Sequence, residues 1–276
     1  MDTIIVATDL SDRSDRAVER ALSLAEANGA TCHVVSVTDD ALPVALSEQL
    51  SEGVEEHLQK VLEGRQNAVK TEVTILRGDV AEMLIRFALL RDADLIVMGL
   101  HRRRMFLDKL RETTMTRIVA ASPTPVLLVK NDASEAYAST LVPVSFSPSC
   151  AGAIQAANML APGTKVVGFH ALHVPFQGLT GVEDSDMAHA AREEAEQTRA
   201  SWMAEQSLMD YVDAPDIIPG AVRAVLDQKL AEESSDLLAI GAHTRSGLSI
   251  QKLGGFAADL VRDPPVDLLI SPPPRG

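Results

Sequence analysis

Short, near-continuous apolar runs alternate with stretches of helical period along the chain. TIIVATD at 3–9 reads as a β-strand. SDRAVERALSLAEANGA at 14–30 then places Ala17, Ala21, Leu22, Leu24 and Ala25 on one face, and Gly29 stands where a helix C-cap belongs. TCHVVSV predicts a second strand, a polar-faced helix covers 45–66, and KTEVTIL is a third strand. VAEMLIRFALLRD is a helix, DLIVMG a strand, TMTRIVAAS a helix and PVLLV a fifth strand. Apolar strands separated by helices predict a parallel sheet covered on both faces.

The pattern is written twice. ILRGDVAEMLIRFALLRDADLIVMG (75–99) aligns without a gap on IIPGAVRAVLDQKLAEESSDLLAIG (217–241), which puts Gly78 on Gly220, Asp94 on Asp236 and Gly99 on Gly241. IIVATDLS (4–11) matches LVPVSFS (141–147), and SPTPVLLV (122–129) matches DPPVDLLI (263–270). The second copy continues with KVVGFHALHV, a charged helix through MAHAAREEAEQTRASWMAEQ, and DLLAIGA. The polar join NDASEAYAS (131–139) is a linker. The expectation is two α/β domains, 1–132 and 140–276, each an open five-stranded parallel sheet flanked by helices.

Composition narrows the function. The chain has 276 residues, a net charge of −14 and only 3% aromatics, so its cores are aliphatic. That charge argues against nucleic-acid and anionic-membrane partners. MDTIIVATDLS carries no basic leader, no apolar run approaches membrane-span length, and the cytoplasm is the expected location. Cys32 and Cys150 read as small buried hydrophobes rather than a disulfide pair.

In an open parallel sheet, ligands sit beyond the carboxyl ends of the strands where the strand order reverses. If strands 1 and 4 are neighbours there, Asp9 faces Gly99. The helix opening at Thr113 and Thr114 would aim free N–H groups at an anion.

The ordered set IIVATDLS, LRGDVAEMLIRFA, DADLIVMG, GLH and SPTPVLLV, repeated after residue 140, resembles a tandem universal stress protein. The resemblance implies an adenine-nucleotide α-hydrolase-like fold with strand order 3-2-1-4-5. It also implies pairing of two units through their last strands, here an intramolecular pseudo-dimer; full-chain homodimerisation stays open. Nucleotide-binding members carry G-x2-G-x9-G-[ST] after strand 4 and an Asp at the end of strand 1. The first half keeps Asp9, Gly99 and the adenine-flanking Val37 and Met98, but has Arg102 and Glu112 at glycine positions, before Thr113. The second half keeps Gly241, Gly254 and Gly255, has Thr244 at the middle glycine, and has Ser145 in place of the Asp. A carboxylate such as Glu112 about 4 Å from a phosphate would repel it by roughly 4 kcal/mol at an effective dielectric near 20. The neighbouring Arg102, Arg103, Arg104, Lys109 and Arg111 would offset that, or form a solvated face.

No nucleophile elbow, zinc spacing or Walker sequence is present. His170 and His173 stand three apart on a strand, so they point to opposite faces and would not share a metal. Asp94 and Asp236 read as caps for backbone N–H groups. The expected function is a stress-response or regulatory binding protein without an efficient active site, whose nucleotide loops are degraded and whose protein partner is unknown. The alternative is an ATP- or AMP-binding switch using one half, with no metal beyond a nucleotide-associated Mg. A true enzyme of a related fold is the third reading.

Overall fold

The computed structural model describes residues 1–38, 44–63, 68–100, 113–132, 135–172, 186–242 and 253–274. The first repeat runs β1 (Thr3–Ala7), α1 (Asp12–Asn28), β2 (Thr31–Thr38), α2 (Val44–Leu62), β3 (Thr71–Arg77), α3 (Val80–Leu90), β4 (Leu95–Gly99), α4 (Thr114–Ala121) and β5 (Val126–Val129). The second runs β6 (Ser139–Pro143), α5 (Pro148–Leu160), β7 (Lys165–Leu172), α6 (Asp186–Glu205), β8 (Asp216–Pro219), α7 (Val222–Glu233), β9 (Leu237–Gly241), α8 (Gly255–Arg262) and β10 (Asp267–Ser271). The strand orders are β3-β2-β1-β4-β5 and β8-β7-β6-β9-β10, the expected 3-2-1-4-5 in both repeats.

The apolar runs become strands because helices cover both their faces. Ile4, Ile5, Val6, Leu95, Ile96, Val97, Leu127 and Leu128 have no accessible surface. Helix α1 buries Ala17, Val18, Ala21, Leu22, Leu24 and Ala25. It starts on Ser11, whose side chain accepts from the Ser14 amide, and ends on Gly29 in the left-handed region at φ 65°. Asp94 accepts from the amides of Asp2 and Thr3 at 2.6 and 3.1 Å, and Asp236 from those of Ala138 and Ser139 at 2.8 and 3.1 Å. Each thereby ties the start of β4 or β9 to the start of β1 or β6, the capping role expected of them.

Two compact units result. One comprises Met1–Ala136 with Thr244–Leu268, the other Tyr137–His243 with Leu269–Gly276. Within the first, the Asp267 carboxylate is fully buried and lies 3.6 Å from the Arg20 guanidinium. It also accepts from the amides of Lys130 and Asn131 at 2.8 and 2.9 Å. The Lys130 ammonium donates to the carbonyls of Pro264 and Pro265 at 2.8 and 2.9 Å. The apolar reading of PVDLLI therefore needs an exception: its aspartate is inside, satisfied by a cation and two amides.

Candidate functional site

Strand β1 pairs with β4 in parallel, Ile4 beside Leu95 through Ala7 beside Met98. The register therefore sets Thr8, rather than Asp9, level with Gly99, one residue from the expected facing. At this carboxyl edge a cavity of about 470 Å³ opens in the first unit. Asp9, Val37, Met98, Gly99 and Thr113, all singled out in the sequence, line it. Its apolar wall is completed by Val35, Val80, Leu84 and Met115, and its polar floor by Thr8, Ser11, Arg13 and Ser14.

The floor is built by the turn from β1 into α1. The Thr8 amide donates to the Val35 carbonyl at 2.9 Å, which holds β1 to β2 just past the strand end. The Thr8 hydroxyl donates to the Ser14 hydroxyl at 3.0 Å and accepts from the Leu10 amide at 3.1 Å. Leu10 takes φ 60°, a left-handed conformation uncommon outside glycine. Asp9 turns back on the helix start: its Oδ1 accepts from the Ser11 hydroxyl at 2.5 Å and the Ser11 amide at 3.1 Å. Partial burial pushes the Asp9 pKa up, but the hydrogen bonds from Ser11, with Ser14 adding to them, hold it below the ordinary carboxylate value. Asp9 is thus an ionised acceptor, suited to ligand N–H or O–H donors and poorly suited to taking a proton in a reaction.

The far side is the N-terminus of α4. Thr113 caps it, accepting from the Thr116 amide at 3.2 Å and sharing a hydrogen bond with the Thr116 hydroxyl at 2.9 Å. The amides of Thr114 and Met115 belong to the first turn, which has no intrahelical acceptors for them. The Arg117 guanidinium grips the Asp79 carboxylate with two bonds of 2.8 and 3.0 Å, while Asp79 caps α3 by accepting from the Glu82 amide at 3.0 Å. Chiefly that Arg117 pairing keeps Asp79 below the usual carboxylate range. The clamp fixes α4 against α3, the two helices that supply Thr113, Thr114, Met115, Val80 and Leu84.

The glycines singled out in the sequence divide into two kinds. A Cβ on Gly99 would lie 2.4 Å from the Arg13 carbonyl oxygen, and one on Gly241 would lie 2.6 Å from the Ser149 carbonyl carbon. Both are glycine because the first turn of α1 or α5 crosses the strand end at backbone contact. A Cβ on Gly254 or Gly255 would meet nothing within 4 Å. Gly254 caps α8 without a side-chain bond, so these two glycines leave a helix N-terminus uncovered. Gly254 and Gly255 belong to the first compact unit and Gly241 to the second. Arg102 and Thr244, together with Arg103, Arg104, Lys109, Arg111, Glu112 and His173, lie outside the described residues.

The second repeat rebuilds the β1–α1 turn with other side chains. Phe146 repeats the left-handed backbone of Leu10 at φ 56°. Ser147 caps α5, and the Val144 amide donates to the Phe169 carbonyl at 2.7 Å. Ser145, where the first half has Asp9, lies with its hydroxyl 3.6 Å from the Cys150 sulfur. The Phe146 ring stacks on His170 at 4.5 Å, and Trp202 donates its indole N–H to the Ser147 carbonyl at 3.0 Å. His170 is therefore in an aromatic stack, with Nδ1 2.8 Å from the Val144 carbonyl oxygen. Both cysteines are free and buried, and burial pushes the Cys32 thiol up to about 12.

Sequence reasoning missed Thr8, Ser11, Arg13 and Ser14. Their signal was the N-cap serine two residues after Asp9, which turns the chain and brings the first turn of α1 over the end of β4.

The universal stress protein family matches residues 1–130 and again residues 136–272. Universal stress protein A homolog 1 of Coxiella burnetii is 32% identical over 137 residues, 46% of this chain and 94% of that protein. Universal stress protein MJ0531 of Methanocaldococcus jannaschii is 31% identical over 142 residues, 48% of this chain and 84% of that protein. The crystal structure of a universal stress protein from Archaeoglobus fulgidus shares the fold across both repeats, with a TM-score of 0.73 and 19% identity over 99% of this chain and 98% of that one. Among the described residues no helix is long and apolar enough to cross a membrane.

Proposed function

Because the chain belongs to the universal stress protein family in both of its halves, and is a stress-response protein of that type, we propose that its first half holds an adenine nucleotide in the cavity beyond β1 and β4. The observation that carries this reading is the convergence of Asp9, Val37, Met98, Gly99 and Thr113 on one cavity. Asp9 supplies an ionised acceptor for the nucleoside, Val37 and Met98 flank the base, and the α4 N-terminus faces the anion.

The protein works as a binding module rather than a catalyst. The Asp9 carboxylate is held as an acceptor by Ser11, and a carboxylate with a depressed pKa is a weak general base. A Mg ion, where present, would arrive with the nucleotide. The second half contributes less to binding, because Ser145 stands where the first half has Asp9. Arg102 and Thr244 remain in this proposal by their place in the family spacing alone, as candidate phosphate contacts of their halves, with Gly254 and Gly255 as backbone donors. The two repeats act as an intramolecular pair, which two family matches in one chain support, and the cytoplasm is the location proposed for them.

Mass spectrometry of small molecules released from protein purified without added nucleotide tests the proposal. An adenine nucleotide is the expected find, with Asp9→Ala protein releasing none. Wild-type protein that comes down empty, and gives no heat with ATP or AMP in titration calorimetry, would refute it.

A further inference from the structure

One lining residue of the first-half cavity is a cation that no phosphate-loop motif supplies. Arg13 stands in the first turn of α1, half-buried, and its backbone carbonyl is pinned against Gly99 at the end of β4. Its neighbours on α1 are committed elsewhere. Arg16 pairs with Asp132 at 3.3 Å and Arg20 with Asp267, and across the cavity Arg117 is held by Asp79. Asp12 and Asp15 flank Arg13 in sequence and Asp9 lines the same cavity, yet the Arg13 guanidinium forms no ion pair with any of them. Arg13 is one of the residues that line the cavity, and in a chain of net charge −14 its guanidinium, without an acidic partner among the described residues, is an uncommitted anion receptor.

We infer that Arg13 reads the first phosphate of the bound nucleotide, and that the cavity therefore selects a nucleoside monophosphate over a triphosphate. This rests on the nucleotide reading above and names its ligand class. The guanidinium fork matches two oxygens of one phosphate. The first turn of α4 lines the same cavity with its free amides, while the hydroxyls of Thr8, Ser11 and Ser14 are spent within the β1–α1 turn. Asp9 at the floor takes ligand donors and repels a phosphate, so the anion is steered toward Arg13 and α4. A cavity of about 470 Å³ suits a nucleoside with a single phosphate. The further phosphates of ATP require a glycine cradle that this half lacks in sequence, since Glu112 precedes Thr113 where the family has glycine.

The test is titration calorimetry on the full chain with adenosine, AMP and ATP, using wild type, Arg13→Ala and Arg13→Lys. The expected wild-type order is AMP at least as tight as ATP, and both tighter than adenosine. Arg13→Ala should weaken AMP by about 10- to 100-fold, the worth of charge-assisted bonds, and leave adenosine unchanged. Arg13→Lys should restore part of the loss. Equal weakening of adenosine and AMP in Arg13→Ala would make the residue structural and overturn the inference. ATP tighter than AMP by tenfold, with the ratio unchanged in Arg13→Ala, would also overturn it by assigning the phosphates to the loop. Adenosine bound with no gain from its phosphate defeats the Arg13 inference alone. No binding of any of the three compounds defeats the nucleotide reading, and the inference with it.

Discussion

Gly99→Ala separates two explanations of a glycine at the mouth of a ligand cavity. If the glycine admits a phosphate, the substitution removes binding and spares stability. The packing predicts the reverse emphasis. The new Cβ would sit 2.4 Å from the Arg13 carbonyl oxygen, 2.8 Å from its carbonyl carbon and 3.1 Å from the Ser14 amide nitrogen, the first about an ångström inside ordinary contact. These are backbone atoms of the first turn of α1, and no rotamer change relieves them. Overpacking of this kind costs about 1–3 kcal/mol, here the upper end, offset by up to ~1 kcal/mol from a less flexible unfolded chain. A net loss of about 2 kcal/mol is expected. At a urea dependence of roughly 2–3 kcal/mol per molar, the midpoint falls by somewhat under ~1 M. Far-UV circular dichroism follows the whole chain, while Trp202, the sole tryptophan, lies in the second compact unit and reports that unit separately. Gly255→Ala is the control: with nothing within 4 Å of its Cβ and a place at the start of α8, it should gain roughly 0.5–1 kcal/mol. A Gly99→Ala protein with a wild-type midpoint would refute the packing argument.

Three further outcomes follow from the same geometry. Asp267→Ala takes the counter-charge from the buried Arg20, which keeps the carbonyls of Asp132 and Glu135, and the acceptor from two amides, and should cost about 3–5 kcal/mol in urea unfolding; Arg20→Met should cost less, because Asp267 keeps the amides of Lys130 and Asn131. A double-mutant cycle on Asp79 and Arg117 should give a coupling of only about 0.2–1 kcal/mol, since both side chains are more than two-fifths exposed. Because the Asp79 pKa is depressed in the fold, that coupling should be full above the unfolded carboxyl value of about 3.9 and disappear as pH falls through the folded one. His33 is buried with its pKa pushed down, chiefly by burial, which outweighs Glu72 at 3.4 Å. Its unfolded form therefore binds the proton more readily, so stability should be full above about pH 6.5 and decline as pH falls through the folded value; His33→Phe should flatten that slope in thermal unfolding scans.

Strand positions and the repeat were legible because buried parallel strands must be continuously apolar and the same spacing recurs after residue 140; the strand order followed from the family resemblance alone. The role of Gly99 was not. A sequence shows that a Cβ is missing, but not whether a ligand or the Arg13 carbonyl occupies its space. Thr113 was readable as a helix start, because a threonine ahead of a helical run caps it. Arg13 was hidden for the opposite reason: a basic residue among Asp12, Asp15 and Arg16 reads as a solvated helix face. Arg20 fell on the apolar stripe of α1 with no visible partner, since Asp267 sits near the other end of the chain inside a run that reads as hydrophobic. The arginine-rich stretch 102–111, the strongest local charge feature of the sequence, lies outside the described residues.

The first compact unit takes in residues 244–268, so the molecule's folding unit and its sequence repeat are not the same object. A ribosome delivers β1 to β5 long before it delivers Asp267. At about 5–20 residues per second, Arg20 waits roughly ten seconds or more for its counterion after its own helix has emerged. During that interval the nascent first repeat carries, on what will become an interior face, a guanidinium that has the carbonyls of Asp132 and Glu135 within reach but not its counter-charge. Completion of the N-terminal half is thus deferred to the last steps of translation, and a premature stop codon within the second repeat, before residue 267, would leave both repeats affected, including the one already fully synthesised.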